Sequence, residues 1–368
     1  MQATLLRVLV LVLSMLPGVA ALAQSDLPSE LPAKASLSQD DAEAIARWAQ
    51  TNWAQVTTDD AQQARRARRA LVAPLLRRET TAGFRLAMDQ ALAGQLQEAL
   101  AGPDDFRAVN AAILSGWLAT DRSFRALTEA LGHDRQAVQV AAAAGLGNAF
   151  RAAGLAPAAF EPQVGQEAVA ALAEVLSSTE SLPLLDVAAK ALTDALAVPE
   201  SAMAGFASRA GLRLTEAIGQ RLHAMPIDAN LPMALGPLVR AMGEIRSAIT
   251  QRRGNIGSAW QSAVMLMYGR VGAVGFRALR AERSGQLGGQ DAAAVRERVR
   301  MAVQVAQTTP TLLQLPKATQ DRLNQVDLVQ GLDRATSDDA DAYRRAFTNL
   351  LTILEGEFSL PRDRFNIQ

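Results

Sequence analysis

Cysteine is absent from all 368 residues. Disulfides, thiol nucleophiles, Cys-based zinc sites and iron–sulfur clusters are therefore excluded. Histidine is nearly absent: His133 and His223 are far apart and share no metal-ligand spacing. Aromatic residues make up 4% of the chain. That scarcity argues against a β-fold, which favours aromatic and β-branched side chains. It also removes the stacking surface that single-stranded nucleic acid needs. Net charge is zero, 37 basic against 37 acidic residues, so nothing global favours nucleic acid or another polyanion as a partner. Beyond the first residues no apolar run approaches the ~20 that cross a bilayer, and no transmembrane helix is expected in the mature chain.

What is present starts with an export-like leader. Arg7 precedes an apolar run, Val8 to Leu16, which Pro17 and Gly18 break. Ala21-Leu22-Ala23 has the small-x-small pattern of a signal-peptidase site. The pattern predicts a cleaved signal over 1–23 and an exported protein, periplasmic or secreted. Residues 24–37, with Pro28 and Pro32 and no apolar period, read as a flexible leader.

The rest reads as helix, because Ala, Leu, Arg, Gln and Glu dominate. Ser38 before Asp40-Asp41 is an expected N-cap. Ile45, Trp48 and Ala49 follow at helical spacing. Helices are expected to Trp53, from Asp59-Asp60 to Pro74, and over 84–100, giving an N-terminal cap or bundle at 38–102. Hairpins then follow over 104–120, 122–131 and 135–153, then 166–176 and 183–197. Later helices fit 204–222, 231–251, 258–282, 292–306, 312–328 and 339–357. The domain reading is helical repeats over 103–253 and a less regular helical region over 254–368.

The run Leu127 to Leu131 followed by Val140 to Leu146 is echoed by Leu172 to Leu176 and Val187 to Leu192, and more loosely by Leu222 and Leu238 to Met242. Leu131-Gly-His-Asp-Arg-Gln-Ala-Val138, continuing through the Ala-rich stretch to Leu146-Gly147, resembles the second half of a HEAT repeat. The resemblance to HEAT and armadillo proteins covers roughly 104–243. It implies an all-α fold of stacked antiparallel hairpins, an irregular α-solenoid with helical caps, whose surfaces bind protein segments. Val140, Ala144 and Leu146 are then expected between neighbouring helices.

No residue set demands catalysis, a cofactor or a metal. His133-Asp134 reads as a turn histidine beside an Asp that caps the next helix. Gly269, Gly272 and Gly275 recur every third residue without the strand and order of a dinucleotide fingerprint, and read as a smooth helix face for close backbone approach. The sharpest charge feature is Arg65, Arg66, Arg68 and Arg69 on one broad helix face. Within Asp60 to Arg85 seven arginines oppose Asp60 and Glu79. This face is the candidate patch for an anionic surface or acidic partner, against the blander reading of a solvated face. The expected function is a non-catalytic interaction or scaffold protein of a bacterial cell envelope. An all-α enzyme acting on a glycan or peptidoglycan strand stays open as a rival, marked by a cleft with paired carboxylates. So does a carrier of an apolar ligand along the helix Ala259 to Phe276.

Overall fold

The computed structural model describes residues 27–58, 60–337, 339 and 341–367. The expected export signal, 1–23, lies outside the described residues. The described chain is all-α. Its helices are α1 (Gln39–Val56), α2 (Ala61–Val72), α3 (Ala82–Ala101), α4 (Asp105–Leu118), α5 (Asp121–Ala130), α6 (Gln136–Leu155), α7 (Pro162–Ser178), α8 (Leu182–Leu196), α9 (Phe206–Ala224), α10 (Leu231–Gln251), α11 (Ser258–Arg283), α12 (Gly289–Thr308), α13 (Lys317–Asn324), α14 (Leu328–Ser337) and α15 (Ala342–Phe358). No strand forms among the described residues; an isolated bridge joins Thr120 to Ala159.

Local chemistry accounts for most helix starts. Ser38 caps α1 in a capping box: its hydroxyl accepts from the Asp41 amide, and the Asp41 carboxylate accepts from the Ser38 amide at 2.8 Å. Asp60, Thr81, Asp104, Thr120 and Ser181 cap α2, α3, α4, α5 and α8 with side-chain oxygens. Proline stands in the first turn of α7, α8 and α10, where the amide it lacks would have no intrahelical partner.

Three local expectations change. Asp134 does not cap α6; Arg135 holds that position without a side-chain bond, and the Arg135 amide donates to His133 Nδ1 at 3.1 Å. The helix expected over 312–328 is broken by Pro316: a 3-10 turn, Pro310–Leu312, precedes α13, and α14 follows as an additional helix. The described part of the expected leader does not hang free. Leu31 and Pro32 are buried, and Thr81 binds the Pro32 and Lys34 carbonyls through its amide (2.9 Å) and hydroxyl (3.2 Å).

Packing is next-but-one. α2, α4, α6, α8, α10 and α12 lie side by side in one row, and α1, α3, α5, α7, α9 and α11 in another. Chain neighbours such as α3–α4 and α7–α8 join the rows, and α15 closes the far end against α11. One contiguous apolar core runs between the rows from Leu31 to Phe365. Leu146 is fully buried there, whereas Val140 and Ala144 are only half-buried.

The glycine face of α11 is filled by aromatic rings rather than by another backbone. A methyl at Gly269, Gly272 or Gly275 would collide with Phe365, Phe347 or Tyr343 respectively. The Tyr343 hydroxyl donates to the Gly272 carbonyl at 3.0 Å, so the ring is fixed as well as seated.

Candidate functional site

A cleft of about 520 Å³ lies between α3 and α5. Its origin is a wedge. In the opposite row α4 and α6 come into backbone contact through Gly116 and Gly145. A methyl on Gly145 would sit 2.6 Å from the Ala112 carbonyl oxygen, and one on Gly116 would lie 2.9 Å from Asn148 Cβ. The hairpins α3–α4 and α5–α6 are thus pinched together on one side and left apart on the other. α3 and α5 run in the same direction. They meet where Ser123 Oγ donates to Asp89 Oδ1 at 3.3 Å. Beyond the other end, Arg135 reaches across to the Gly102 and Pro103 carbonyls.

The walls are apolar in the middle and charged at the rim. Leu96, Leu100 and Ala130 are buried, with half-buried Ala93 and Ala126 facing the opening. Arg122, Arg125 and Glu129 are exposed at its edge. His133 closes one end. Its Nδ1 lies 3.1 Å from the Arg135 amide and 2.7 Å from Asp134 Oδ1. A single nitrogen can accept the amide proton or give its own to the carboxylate, not both. The Asp134 side chain is 88% exposed, so the second contact is worth little.

Asp89 is the unusual group. Its side chain is 8% exposed, and among the described residues its charge is answered by Arg122 Nη1 at 3.8 Å and the hydroxyl network of Ser123 and Thr120. Burial raises its pKa above the ordinary 3.8, partly offset by Arg122, Thr120 and Ser123. Because the folded state holds this proton more tightly than the unfolded chain, Asp89 favours folding below about pH 4, and that benefit is lost as pH rises through the raised midpoint. Relative to wild type, Asp89→Asn is therefore expected to gain stability steadily from pH 4 upward, then level off. Urea midpoints of both proteins from pH 4 to 8 check this; a difference independent of pH would contradict it.

The arginine face is only partly as the sequence suggests. Arg65, Arg66 and Arg69 are exposed, and no acidic side chain among the described residues lies within ion-pairing distance of them. Ala64, Ala67 and Leu71 are the buried side of α2. Arg68 is not part of a free patch: it is half-buried, and its Nη1 donates to Asn110 Oδ1 at 2.8 Å. Arg85, at the edge of the same arginine-rich stretch, is buried altogether. The cleft residues Asp89, Arg122 and Ser123 were not singled out by sequence. The available signal was that 85 and 89 fall in register with the buried positions Phe84, Met88 and Leu92 of α3. At i, i+4 spacing such an Arg and Asp read as a surface pair.

Among the described residues no group of His, Asp and Glu has the arrangement of a metal site, and no helix is long and apolar enough to cross a membrane. No family model matches the chain, and no curated protein matches it. Three engineered proteins solved by the Northeast Structural Genomics Consortium are similar to it. The first is 19% identical over 71% of this chain and 98% of its own, with a TM-score of 0.37. The second is 18% identical over 71% and 97%, with a TM-score of 0.36. The third is 18% identical over 92% and 91%, with a TM-score of 0.30. Likenesses at those scores do not establish a shared fold.

Proposed function

We propose that the chain is a non-catalytic interaction protein, exported to a bacterial cell envelope, and that the α3–α5 cleft receives an apolar-faced segment of a protein partner. The observation that carries this reading is the cleft itself: a largely apolar floor open to solvent, with buried Asp89 at one end and Arg122, Arg125 and Glu129 at its rim. That is the arrangement in which buried side chains supply affinity and rim charges set register. The next-but-one packing of two helix rows supports the finer fold reading, an irregular HEAT-like α-solenoid. In this reading Arg65, Arg66 and Arg69 form a second, anionic-facing docking edge on α2.

The test is to fill the cleft. Ala126→Trp puts an indole into the opening from a half-buried position, so the fold should persist with a change in stability of about 1 kcal/mol or less. A photo-crosslinker at Ala93, in protein expressed in its own envelope, should trap one partner in the wild-type background and lose it in the Ala126→Trp background. Crosslinking unchanged by the tryptophan would sink the reading.

One observation favours a second reading. Asp89 has a raised pKa and shares the cleft with Asp121 and Glu129, the kind of carboxyl set an acid-catalysed glycan cleavage requires. Against it, Asp89 is tied to Arg122 and Ser123, and no Trp, Tyr or Phe is among the cleft's lining residues to hold a sugar face. Release of soluble fragments from purified peptidoglycan, abolished by Asp89→Asn, would favour the enzyme over the scaffold.

A further inference from the structure

At the end of α9, basic side chains converge from three segments. His223 lies in the last turn of α9. Arg277, from α11, straddles it: its two terminal nitrogens donate to the Leu222 and Met225 carbonyls at 2.9 and 3.0 Å. Arg270, two turns earlier on α11, lies over Gly219 of α9; a methyl there would stand 3.3 Å from Arg270 Nη1. Arg364 comes from the 3-10 turn Arg362–Phe365, and its carbonyl accepts from Arg270 Nε at 3.4 Å. Asn366 Nδ2 donates to the His223 carbonyl at 3.0 Å, strapping this turn onto the helix end.

Among the described residues no carboxylate lies within ion-pairing distance of Arg270, Arg277, Arg364 or His223. Arg362, the nearby arginine with an acidic partner, is engaged by Glu355 at 3.4 Å. Glu180 acts on Arg221, two residues before His223. His223 Nδ1 and Arg277 Nε are buried without hydrogen-bond partners. The α9 carbonyls answer Arg277, but gathering Arg270 and Arg364 beside a half-buried imidazole whose Nδ1 has no partner is unfavourable unless an anion completes the set. Consistently, His223 is held below its usual pKa by burial and by Arg270 and Arg277, against a smaller opposing effect of the Arg364 carbonyl.

The geometry points to an oxyanion site at this helix end, holding a phosphate or phosphate monoester between His223, Arg270 and Arg364, with Arg277 as fixed background charge. Guanidinium groups arriving from two segments match the several oxygens of phosphate better than the two of a carboxylate. Arg364 is exposed, so the site opens to solvent. The phosphate could belong to a free small molecule or to a lipid headgroup, and the two are separated below.

The chain has two histidines, so each imidazole resonance can be followed by proton NMR, with His133 as internal control. Adding inorganic phosphate at constant ionic strength should raise the His223 titration midpoint by about half a pH unit or more, leaving that of His133 unchanged. Arg270→Gln with Arg364→Gln should weaken phosphate binding at least ~10-fold in calorimetry, without moving the α9 cap made by Arg277. Should that double variant fail to fold, Arg364→Gln alone, at an exposed side chain, should still weaken binding several-fold. Vesicles of phosphatidic acid in phosphatidylcholine, against phosphatidylcholine alone, test the lipid source; retention on the acidic vesicles, lost in the double variant, supports the site with a headgroup as ligand. A His223 midpoint unmoved by phosphate, with no variant-sensitive binding to either phosphate or vesicles, would overturn the assignment.

Discussion

Replacing Gly116 by alanine is expected to destabilise the protein by about 3 kcal/mol, although alanine is the better helix former. In an open helix position the exchange gains about 1 kcal/mol. Here the new methyl would be driven into the Gly145 carbonyl and to 2.9 Å from Asn148 Cβ. Backbone cannot move aside as a side-chain tip can, so α4 must retreat from α6, at the upper end of the ~1–3 kcal/mol seen for overpacked cores or beyond it. Gly145→Ala should behave alike, with its methyl 2.6 Å from the Ala112 carbonyl oxygen and 2.8 Å from Leu127 Cδ2. Gly94, on α3 with nothing within 4 Å of an added methyl, is the control. Gly94→Ala should stabilise by about 0.5–1 kcal/mol. Urea denaturation of the three variants reads the contrast directly. Equal stability of Gly116→Ala and Gly94→Ala would mean the two helices do not touch and the wedge behind the cleft is absent. The same spreading of α4 from α6 should narrow the opposite cleft, so partner crosslinking from Ala93 should fall even where Gly116→Ala remains folded.

The contrast between Gly116 and Gly94 shows what the sequence could and could not tell. Helices were legible because their signals are local. The Ser38 cap, with Asp40 and Asp41 in the first turn, and the break at Pro74 act within a few residues of themselves. Ile45, Trp48 and Ala49 announced the buried side of α1 by spacing alone. Nothing local separates a glycine in open space from one against another backbone, because the partner of Gly116 stands 29 residues away in sequence, at Gly145. The α11 glycines were read as a smooth face for close backbone approach, but side chains rather than another backbone occupy it. That aromatic rings from α15 and the last turn would fill it depended on a fold that brings residues 343–365 back onto 269–275. The arginine face failed partly for a related reason. Periodicity grouped Arg68 with Arg65, Arg66 and Arg69, but Asn110 on α4 claims its guanidinium. Asp89 was invisible as a site residue because a lone carboxylate in an amphipathic helix ordinarily faces water, and only the divergence of α3 from α5 made a cleft beside it.

Arg85 is the residue whose loss should be felt most widely. It lies in the first turn of α3, 1% exposed, with no carboxylate partner among the described residues. One terminal nitrogen donates to the Leu75 carbonyl at 2.9 Å, and the other to the Trp117 carbonyl in the last turn of α4. Burial pushes its pKa down to about 10, so it remains cationic at neutral pH. A cation there meets the negative end of the α4 dipole and satisfies a carbonyl that the ending helix leaves orphaned. Two effects oppose each other on substitution. Arg85→Met removes a desolvated charge, which is favourable, and largely keeps the volume. It also strands two backbone carbonyls that no neighbouring mutation can remove, each worth about 1–3 kcal/mol when buried and unpaired. The second effect should win, with a loss of about 2–4 kcal/mol for methionine. Alanine should lose more, since a cavity is added. Lysine should lose least, because it keeps the charge yet cannot reach both carbonyls in a planar fork. Hydrogen exchange should localise the damage to the end of α4 and the turn at Leu75, the segments tied together by this one side chain. Methionine at or above wild-type stability would show that the carbonyls find other partners, and that the guanidinium is a passenger in the core rather than its clamp.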